Sequence, residues 1–133
     1  MKIENHYKRL KENLEVIDES IQKDLIERQS TLGFSISAAA THLVEIFLHK
    51  LNLIDTGFIL KHEWFKSKHK LEEKINFDFP QKEEILTLMR FIQEKRNELC
   101  YGTPKKEEEI LEYVEKFNRL KEVLESLGVK NEE

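Results

Sequence analysis

The chain has 133 residues, the usual size of one domain, and is long enough to bury a core without disulfides or metals. Hydrophobic residues make up 39% and charged residues 36%, with four Gly and two Pro, which excludes a disordered chain and favours long helices. The formal charge of −4 argues against a protein that coats nucleic acid non-specifically. The single cysteine, Cys100, excludes an internal disulfide framework and fits a reducing cytosol.

Two helices are predicted in the N-terminal part of the chain. Apolar residues recur at steps of four and three through residues 2–29, which predicts one helix of roughly 40 Å. This narrow stripe can pack against another helix of the same chain or of a second copy. Gly33 and Ser35 interrupt the pattern, and a second apolar stripe predicts a helix from about residue 36 to Asn52. The run Ala38, Ala39 and Ala40 offers a thin surface that a neighbouring helix can approach closely.

Three further helices are predicted after the turn at residues 55–57. A third helix spans residues 59–75, and Phe77 and Phe79 follow it as a plug for one end of the core. Pro80 separates it from a fourth helix that runs to about Tyr101 and carries acidic residues in its first turn. A reversal within about two residues then leads into a fifth helix that ends at Gly128. The residues that predict this reversal are Gly102 as a left-handed helix end, Thr103 as an N-cap and Pro104 as the first helical position.

These elements predict an all-α fold, a five-helix up-and-down bundle in a single domain of residues 1–133 with a polar tail at 128–133. No run of 18 to 20 apolar residues suggests a membrane span, and the N-terminus lacks the layout of a signal peptide. The sequence therefore predicts a cytoplasmic protein.

The most informative segment is residues 96–102, Arg-Asn-Glu-Leu-Cys-Tyr-Gly, at the end of the fourth helix. At 100° per residue, Arg96 falls near the centre of the apolar face defined by Ile85, Ile92 and Leu99. Its guanidinium cannot lose its proton, so it needs an internal carboxylate, the carbonyls of the helix end, or a bound anion such as phosphate. Lys95, Lys105 and Lys106 form a local basic patch that favours the nucleotide or RNA alternative.

This segment and the order of the five helices resemble the HEPN (higher eukaryotes and prokaryotes nucleotide-binding) family. The family motif is Arg, a polar residue, a spacer and then His; Arg96 and Asn97 match its start, while Tyr101 stands in place of the His. The resemblance implies a homodimeric protein that binds nucleotide or RNA. It also implies a metal-independent ribonuclease, often a toxin paired with a nucleotidyltransferase-like antitoxin, in which Arg96, Asn97 and Tyr101 are the catalytic residues.

The exchange of His for Tyr101 weakens the prediction of catalysis. RNA cleavage by the neighbouring 2′-hydroxyl needs a cation at the phosphate and a group that exchanges a proton near pH 7. Histidine titrates near 6.5, whereas tyrosine titrates near 10 and is a poor base at neutrality. Tyr101 can instead donate a hydrogen bond to phosphate, stack on a base, or simply pack against the fifth helix.

The remaining reactive residue types predict no second chemistry. A replacement base could come from His42, His49, His62 or His69, although nothing in the sequence ties any of them to Arg96. The two pairs of histidines are interpreted as surface or helix-end residues; without a Glu-x-x-His motif no metal site or cofactor is predicted. Cys100 is interpreted as a packed side chain. The alternative to a HEPN-like function is a non-catalytic bundle that docks a partner protein, with Arg96 as a buried ion-pair member.

Overall fold

The computed structural model describes residues 1–130, and within this range all regular secondary structure is helical. The five α-helices are α1 (Ile3–Lys23), α2 (Gln29–Lys50), α3 (Lys68–Lys74), α4 (Lys82–Tyr101) and α5 (Glu107–Ser126). A short 3₁₀ helix, His62–Lys66, precedes α3. The prediction of an all-α bundle of five helices is confirmed, while residues 131–133 of the predicted polar tail lie outside the described residues.

Helix α2 is the centre of the bundle and packs against α1, α4 and α5. The start of α1 meets the end of α2, and the start of α2 meets the end of α4, so these neighbours run antiparallel. Ion pairs join Glu84 to Arg119 and Lys95 to Glu109, which makes α4 and α5 antiparallel as well. Because α2 has neighbours on three sides, most of its residues are buried.

Helix α2 is also long and apolar enough to meet the hydropathy criterion for a membrane span. An 18-residue window of this helix has a mean hydropathy of 1.4, although no membrane span was predicted. Of that window, 72% is buried inside the bundle, as expected for the core helix of a globular protein. The hydropathy of α2 is therefore explained by packing within the chain, and the cytoplasmic location stays a prediction.

The boundary between the first two helices lies earlier than predicted. Helix α1 ends at Lys23, and the carboxylate of Asp24 accepts hydrogen bonds from the backbone N–H groups of Ile26 and Glu27. This local bonding competes with helix continuation and forms the corner between the helices. The prediction of one helix over residues 2–29 was wrong because its apolar stripe continues to Leu25, past the end of α1.

Gly33 lies inside α2, so the predicted break at this residue was wrong. A Cβ atom at this position would stand 2.9 Å from Cys100 Sγ and 3.0 Å from Leu99 Cβ. The absence of a side chain therefore allows α2 and the end of α4 to approach closely. In addition, the hydroxyl of Tyr113 on α5 donates a hydrogen bond to the Gly33 carbonyl.

The predicted third helix, residues 59–75, is instead the 3₁₀ helix followed by α3. Ser67 separates the two and caps α3 by accepting a hydrogen bond from the N–H of Lys70. Trp64 and Phe65 are buried, and Phe79 packs edge to face against Phe47 of α2 as the predicted plug. The 59–63 segment therefore consists of three loop residues and the first two residues of the 3₁₀ helix.

The connection from α4 to α5 also differs from the prediction. Gly102 is extended rather than left-handed, and it is needed because a Cβ there would lie 2.5 Å from the Glu98 carbonyl oxygen. Thr103 is not the N-cap and Pro104 is not the first helical residue, since α5 begins at Glu107. The longer connection is held by Gln29, whose side chain bonds the carbonyls of Leu99 and Thr103 and accepts from the N–H of Lys105.

Candidate functional site

The cleft that contains Arg96 lies between α2, the 59–63 segment and α4, and has a volume of about 550 Å³. On α2 its lining residues recur at steps of three and four, so they form one continuous face of that helix. The small side chain of Ala38 leaves the cleft open, whereas Ala39 and Ala40 are buried in the core. The cleft is lined by Phe34, Ser37, Ala38, Thr41, His42, Ile59, Leu60, Lys61, His62, Glu63, Gln93 and Arg96.

A buried polar group forms the floor of this cleft between α2 and α4. The Ser37 hydroxyl donates to Gln93 Oε1 at 2.7 Å, and Gln93 Nε2 donates to the Ser37 carbonyl at 3.3 Å. Thr41 Oγ1 lies 3.4 Å from the same amide nitrogen. These bonds satisfy Gln93 and fix the register of α2 against α4, which positions Arg96 one turn after Gln93.

Arg96 is half-buried at the edge of the cleft, where its guanidinium carbon lies 5.0 Å from the centre of the Phe34 ring. Its Nη1 atom donates a hydrogen bond to Asn97 Oδ1 at 3.0 Å. Among residues 1–130, no carboxylate oxygen lies within 4.0 Å of this guanidinium. The cation is therefore oriented by an aromatic ring and an amide, neither of which neutralises its charge.

Tyr101 packs against Phe34 of α2. Its ring meets the Phe34 ring edge to face, with centroids 5.7 Å apart, and 72% of the residue is exposed. Phe34 thus contacts both Arg96 and Tyr101, and it is itself 41% exposed. The three residues form a contiguous aromatic and cationic surface beside the cleft, suited to contact a planar ring and an anion.

His62 is the candidate site residue that sequence spacing did not connect to Arg96. It begins the 3₁₀ helix and lines the same cleft, although 34 positions separate the two residues in the chain. His62 is largely exposed, and its partial desolvation at the cleft lowers its pKa, which the positive charge of Arg96 lowers further. His62 is consequently neutral at pH 7, which is the form that accepts a proton.

The predicted basic patch lies outside this cleft. The amine of Lys95 is 3.1 Å from a Glu98 oxygen and 3.9 Å from a Glu109 oxygen, so internal carboxylates already balance its charge. Lys105 and Lys106 lie in the connection between α4 and α5, past the end of the α4 helix. The structure does not bring these lysines to the lining of the cleft, and their nucleotide-binding role stays a prediction.

Three other histidines and Glu45 occupy the contact between α1 and α2. The Nδ1 atoms of His6 and His42 lie 2.9 Å apart, and His6 Nε2 lies 2.9 Å from Glu45 Oε2. The other oxygen of Glu45 accepts a hydrogen bond from the N–H of Leu60 at 2.6 Å. The interpretation of the first histidine pair as surface or helix-end residues was wrong for His42, which is half-buried in the middle of α2 and contacts His6.

Three further reactive groups, Cys100, Tyr113 and His69, are absent from the lining of the cleft. Burial raises the pKa of the Cys100 thiol, which keeps it in the unreactive protonated form at neutral pH. Burial likewise raises the pKa of Tyr113, whose hydroxyl is bonded to the Gly33 carbonyl. His69 is exposed on α3, away from the cleft lining.

A larger groove of about 740 Å³ lies between α3 and the start of α4. Two of its cations are already engaged: the Lys82 amine donates to the carbonyls of Ile75 and Phe77, and Arg90 pairs with Glu94 at 2.9 Å. Three acidic residues also line it, Glu72, Asp78 and Glu83. The groove is therefore less suited to an anion than the cleft at Arg96.

Comparison with known proteins gives this chain no relatives: no family model, no curated protein and no solved structure matches it.

Proposed function

We propose that this chain binds RNA or a nucleotide in the Arg96 cleft, as a HEPN-like protein whose reacting phosphate is contacted by Arg96. The observation that carries the proposal is the half-buried guanidinium without a carboxylate partner among residues 1–130. Because an arginine remains charged in such a place, an anion is the natural complement of the cleft. The planar fork of donors in a guanidinium matches two phosphate oxygens at once.

The aromatic surface next to Arg96 supports a nucleotide rather than a free anion. Phe34 contacts the guanidinium, and the adjoining Tyr101 ring is 72% exposed, so a base can stack there while its phosphate meets Arg96. The floor residues Ser37, Thr41 and Gln93 bond to one another and hold α2 and α4 at the spacing that keeps the cleft in place. In this arrangement Asn97 holds the guanidinium in its orientation.

His62 supplies the proton-transfer group that Tyr101 lacks. In its neutral form it removes the proton from an RNA 2′-hydroxyl as that oxygen attacks the adjacent phosphorus. Arg96 stabilises the negative charge on the phosphoryl oxygens, and the departing 5′-oxygen takes a proton from solvent. The products are a 2′,3′-cyclic phosphate and a 5′-hydroxyl, formed without a metal ion.

The HEPN resemblance extends the proposal to assembly. We infer a homodimer in which Ile59, which is 63% exposed at the rim of the cleft, lies in the subunit contact, while the Phe34 and Tyr101 rings stay open to the base. A nucleotidyltransferase-like antitoxin is the partner that the resemblance implies. A gene for such a protein beside the gene for this chain would support the pairing.

Binding of a fluorescently labelled single-stranded RNA in EDTA tests the proposal. We expect Arg96→Ala to weaken binding by about 10- to 100-fold, the loss of one or two hydrogen bonds to a charged group. Arg119→Ala removes an exposed arginine outside the cleft and serves as the matched control. Equal affinities of the two variants would contradict a phosphate contact at Arg96.

Cleavage of the same RNA is measured in parallel. His62→Ala and Arg96→Ala should both abolish cleavage, while Tyr101→His should increase it.

The exposed rings also favour a second candidate, a protein-docking module without catalysis. Phe34, Ile59 and Tyr101 form the kind of apolar rim that a partner protein covers. This candidate predicts that Arg96→Ala unfolds or destabilises the bundle but leaves RNA binding as weak as in the parent protein. A normal melting temperature together with a specific loss of RNA affinity would favour the nucleotide proposal.

A further inference from the structure

The histidine cluster between α1 and α2 contains more nitrogen atoms than its hydrogen bonds satisfy. His6 is 1% exposed and Glu45 is 4% exposed, and the half-buried His42 completes a set of three ligand-type side chains. One ligand atom from each of the three lies within 4.8 Å of the other two. Buried ionisable groups gathered so closely are costly unless something pairs with all of them.

Two buried nitrogen atoms have no hydrogen-bond partner among the described residues: Nε2 of His6, which belongs to this set, and Nε2 of His49, which lies beside it. The His6 Nε2 atom is at ion-pair distance from Glu45 Oε2, 2.9 Å, but the two groups are not aligned as donor and acceptor. The ring of His49 lies beside that of His6, with centroids 5.4 Å apart. Unsatisfied buried polar atoms are rare in folded proteins and point to a group that is bound there.

We propose that His6, His42 and Glu45 form a binding site for a divalent transition-metal ion of the Zn²⁺ type. Imidazole nitrogen and carboxylate oxygen are ligands that Zn²⁺ accepts, and three protein ligands leave one position for water or another group. Tetrahedral donors about 2.0 to 2.1 Å from zinc are separated by about 3.4 Å. The His6 and His42 Nδ1 atoms are 2.9 Å apart, so they would separate by about 0.5 Å to hold an ion.

The helix pairing explains how the chain builds this site. His42, Glu45 and His49 lie three and four positions apart, so they share one face of α2, and that face meets His6 at the start of α1. The N–H of Leu60 binds the second oxygen of Glu45, as outer partners do for metal-binding carboxylates. Since His42 also lines the cleft, a bound ion would sit at the cleft wall and tie α1 to the Arg96 site.

Titration of the chelator-treated protein with Zn²⁺ or Co²⁺ alone tests this site independently of RNA binding. We expect one equivalent to bind, the melting temperature to rise, and Co²⁺ to give the visible absorption of a low-coordinate site. His42→Asn should weaken binding by at least about 100-fold, the upper end of the loss caused by removing an outer partner. Glu45→Gln retains the acceptor for Leu60 and should weaken binding by about 10-fold or more.

His69→Asn is the matched control, because His69 is exposed on α3 and remote from the cluster. It should bind Zn²⁺ as tightly as the parent protein. Since His42 is only half-buried, its variant should fold, which circular dichroism verifies. The proposal is overturned if the parent protein takes up no stoichiometric metal, or if His42→Asn binds as tightly as His69→Asn; the cluster is then a hydrogen-bonded part of the core.

Discussion

At the residue scale, Arg96 combines an apolar stem that packs in the bundle with a charged group that must stay accessible. Its aliphatic stem continues the stripe of α4, while its guanidinium reaches the edge of the cleft and stacks over Phe34. An arginine placed in this way keeps its charge and is held in one orientation before any ligand arrives. Preorganised donors of this kind stabilise negative charge more effectively than flexible surface cations do.

The pH dependence of His62 is the first prediction at this scale. Its pKa lies below the ordinary 6.5 because of partial desolvation and then Arg96, so the neutral form predominates from pH 6.5 upward. RNA cleavage should rise with pH through a midpoint below 6.5 and become constant between about pH 7 and 8. In Arg96→Ala, nuclear magnetic resonance titration should show the His62 midpoint at a higher pH, because one cause of the lowering is gone.

Arg119→Ala should leave that midpoint where it is in the parent protein, since Arg119 pairs with Glu84 on α4 and is absent from the cleft. A midpoint that moves equally in both variants would mean that net charge, and not the neighbourhood of Arg96, sets the titration of His62.

Individual residues of the site differ in how far the sequence predicts them. The helical phase of α4 indicated that Arg96 faces the interior, and the structure places it half-buried beside buried Ile92 and Leu99. The sequence could not predict that Arg96, Phe34 and His62 line one cleft. These residues are far apart in the chain, and they meet only because α2 and the 59–63 segment pack beside α4. Local periodicity carries no information on such contacts.

At the element scale, the helices were predicted better than their ends. The apolar stripes of α4 and α5 predicted both helices, and Ile110, Phe117 and Leu124 are buried as expected. The break near Gly33 was wrong because glycine signals either a helix end or a close helix contact, and only the position of α4 decides between them. The corner at Asp24 was missed because one side chain bonding two backbone N–H groups leaves a weak sequence signal.

Gly33→Ala tests the close contact of α2 with α4. Alanine gains about 1 kcal/mol in helix propensity over glycine, but overpacking against Leu99 and Cys100 costs about 1 to 3 kcal/mol. We expect a net loss of about 1 kcal/mol in the free energy of unfolding, measured by chemical denaturation. Adding Cys100→Ala should recover part of this loss by removing the Sγ atom.

Gly57→Ala is the control for that measurement, because a Cβ there meets only the Asp55 carboxylate, at 3.3 Å, in an exposed turn. If Gly33→Ala instead stabilised the protein by the full propensity gain, the helices would have to be less tightly packed than the structure shows.

At the scale of the whole molecule, composition and periodicity were sufficient to predict an all-α bundle of five helices. They could not predict which helix is central, since that depends on α2 having neighbours on three sides. Nor could they predict that the start of the chain contributes His6 to a buried cluster with His42. Both features follow from the antiparallel pairing of α1 with α2, which local sequence does not encode.

The apolar rim of the cleft leads to a prediction about assembly. We expect the chain to be a dimer in size-exclusion chromatography with light scattering, because a dimer buries the exposed side chain of Ile59. Ile59→Glu should convert it to a monomer by placing a charge in the contact. Leu111→Glu alters a residue on α5 that is 42% exposed and should leave the dimer intact. A monomeric parent protein would contradict this arrangement.

The central claim, that Arg96 contacts phosphate, is tested most directly by the salt dependence of RNA affinity. For single-stranded RNA, each phosphate contact contributes about 0.7 to the slope of log affinity against log salt concentration. The magnitude of the slope for Arg96→Ala should therefore be smaller than that of the parent protein by about 0.7, whereas Arg119→Ala should retain the parent slope. Parallel lines for Arg96→Ala and the parent protein would contradict a phosphate contact at Arg96.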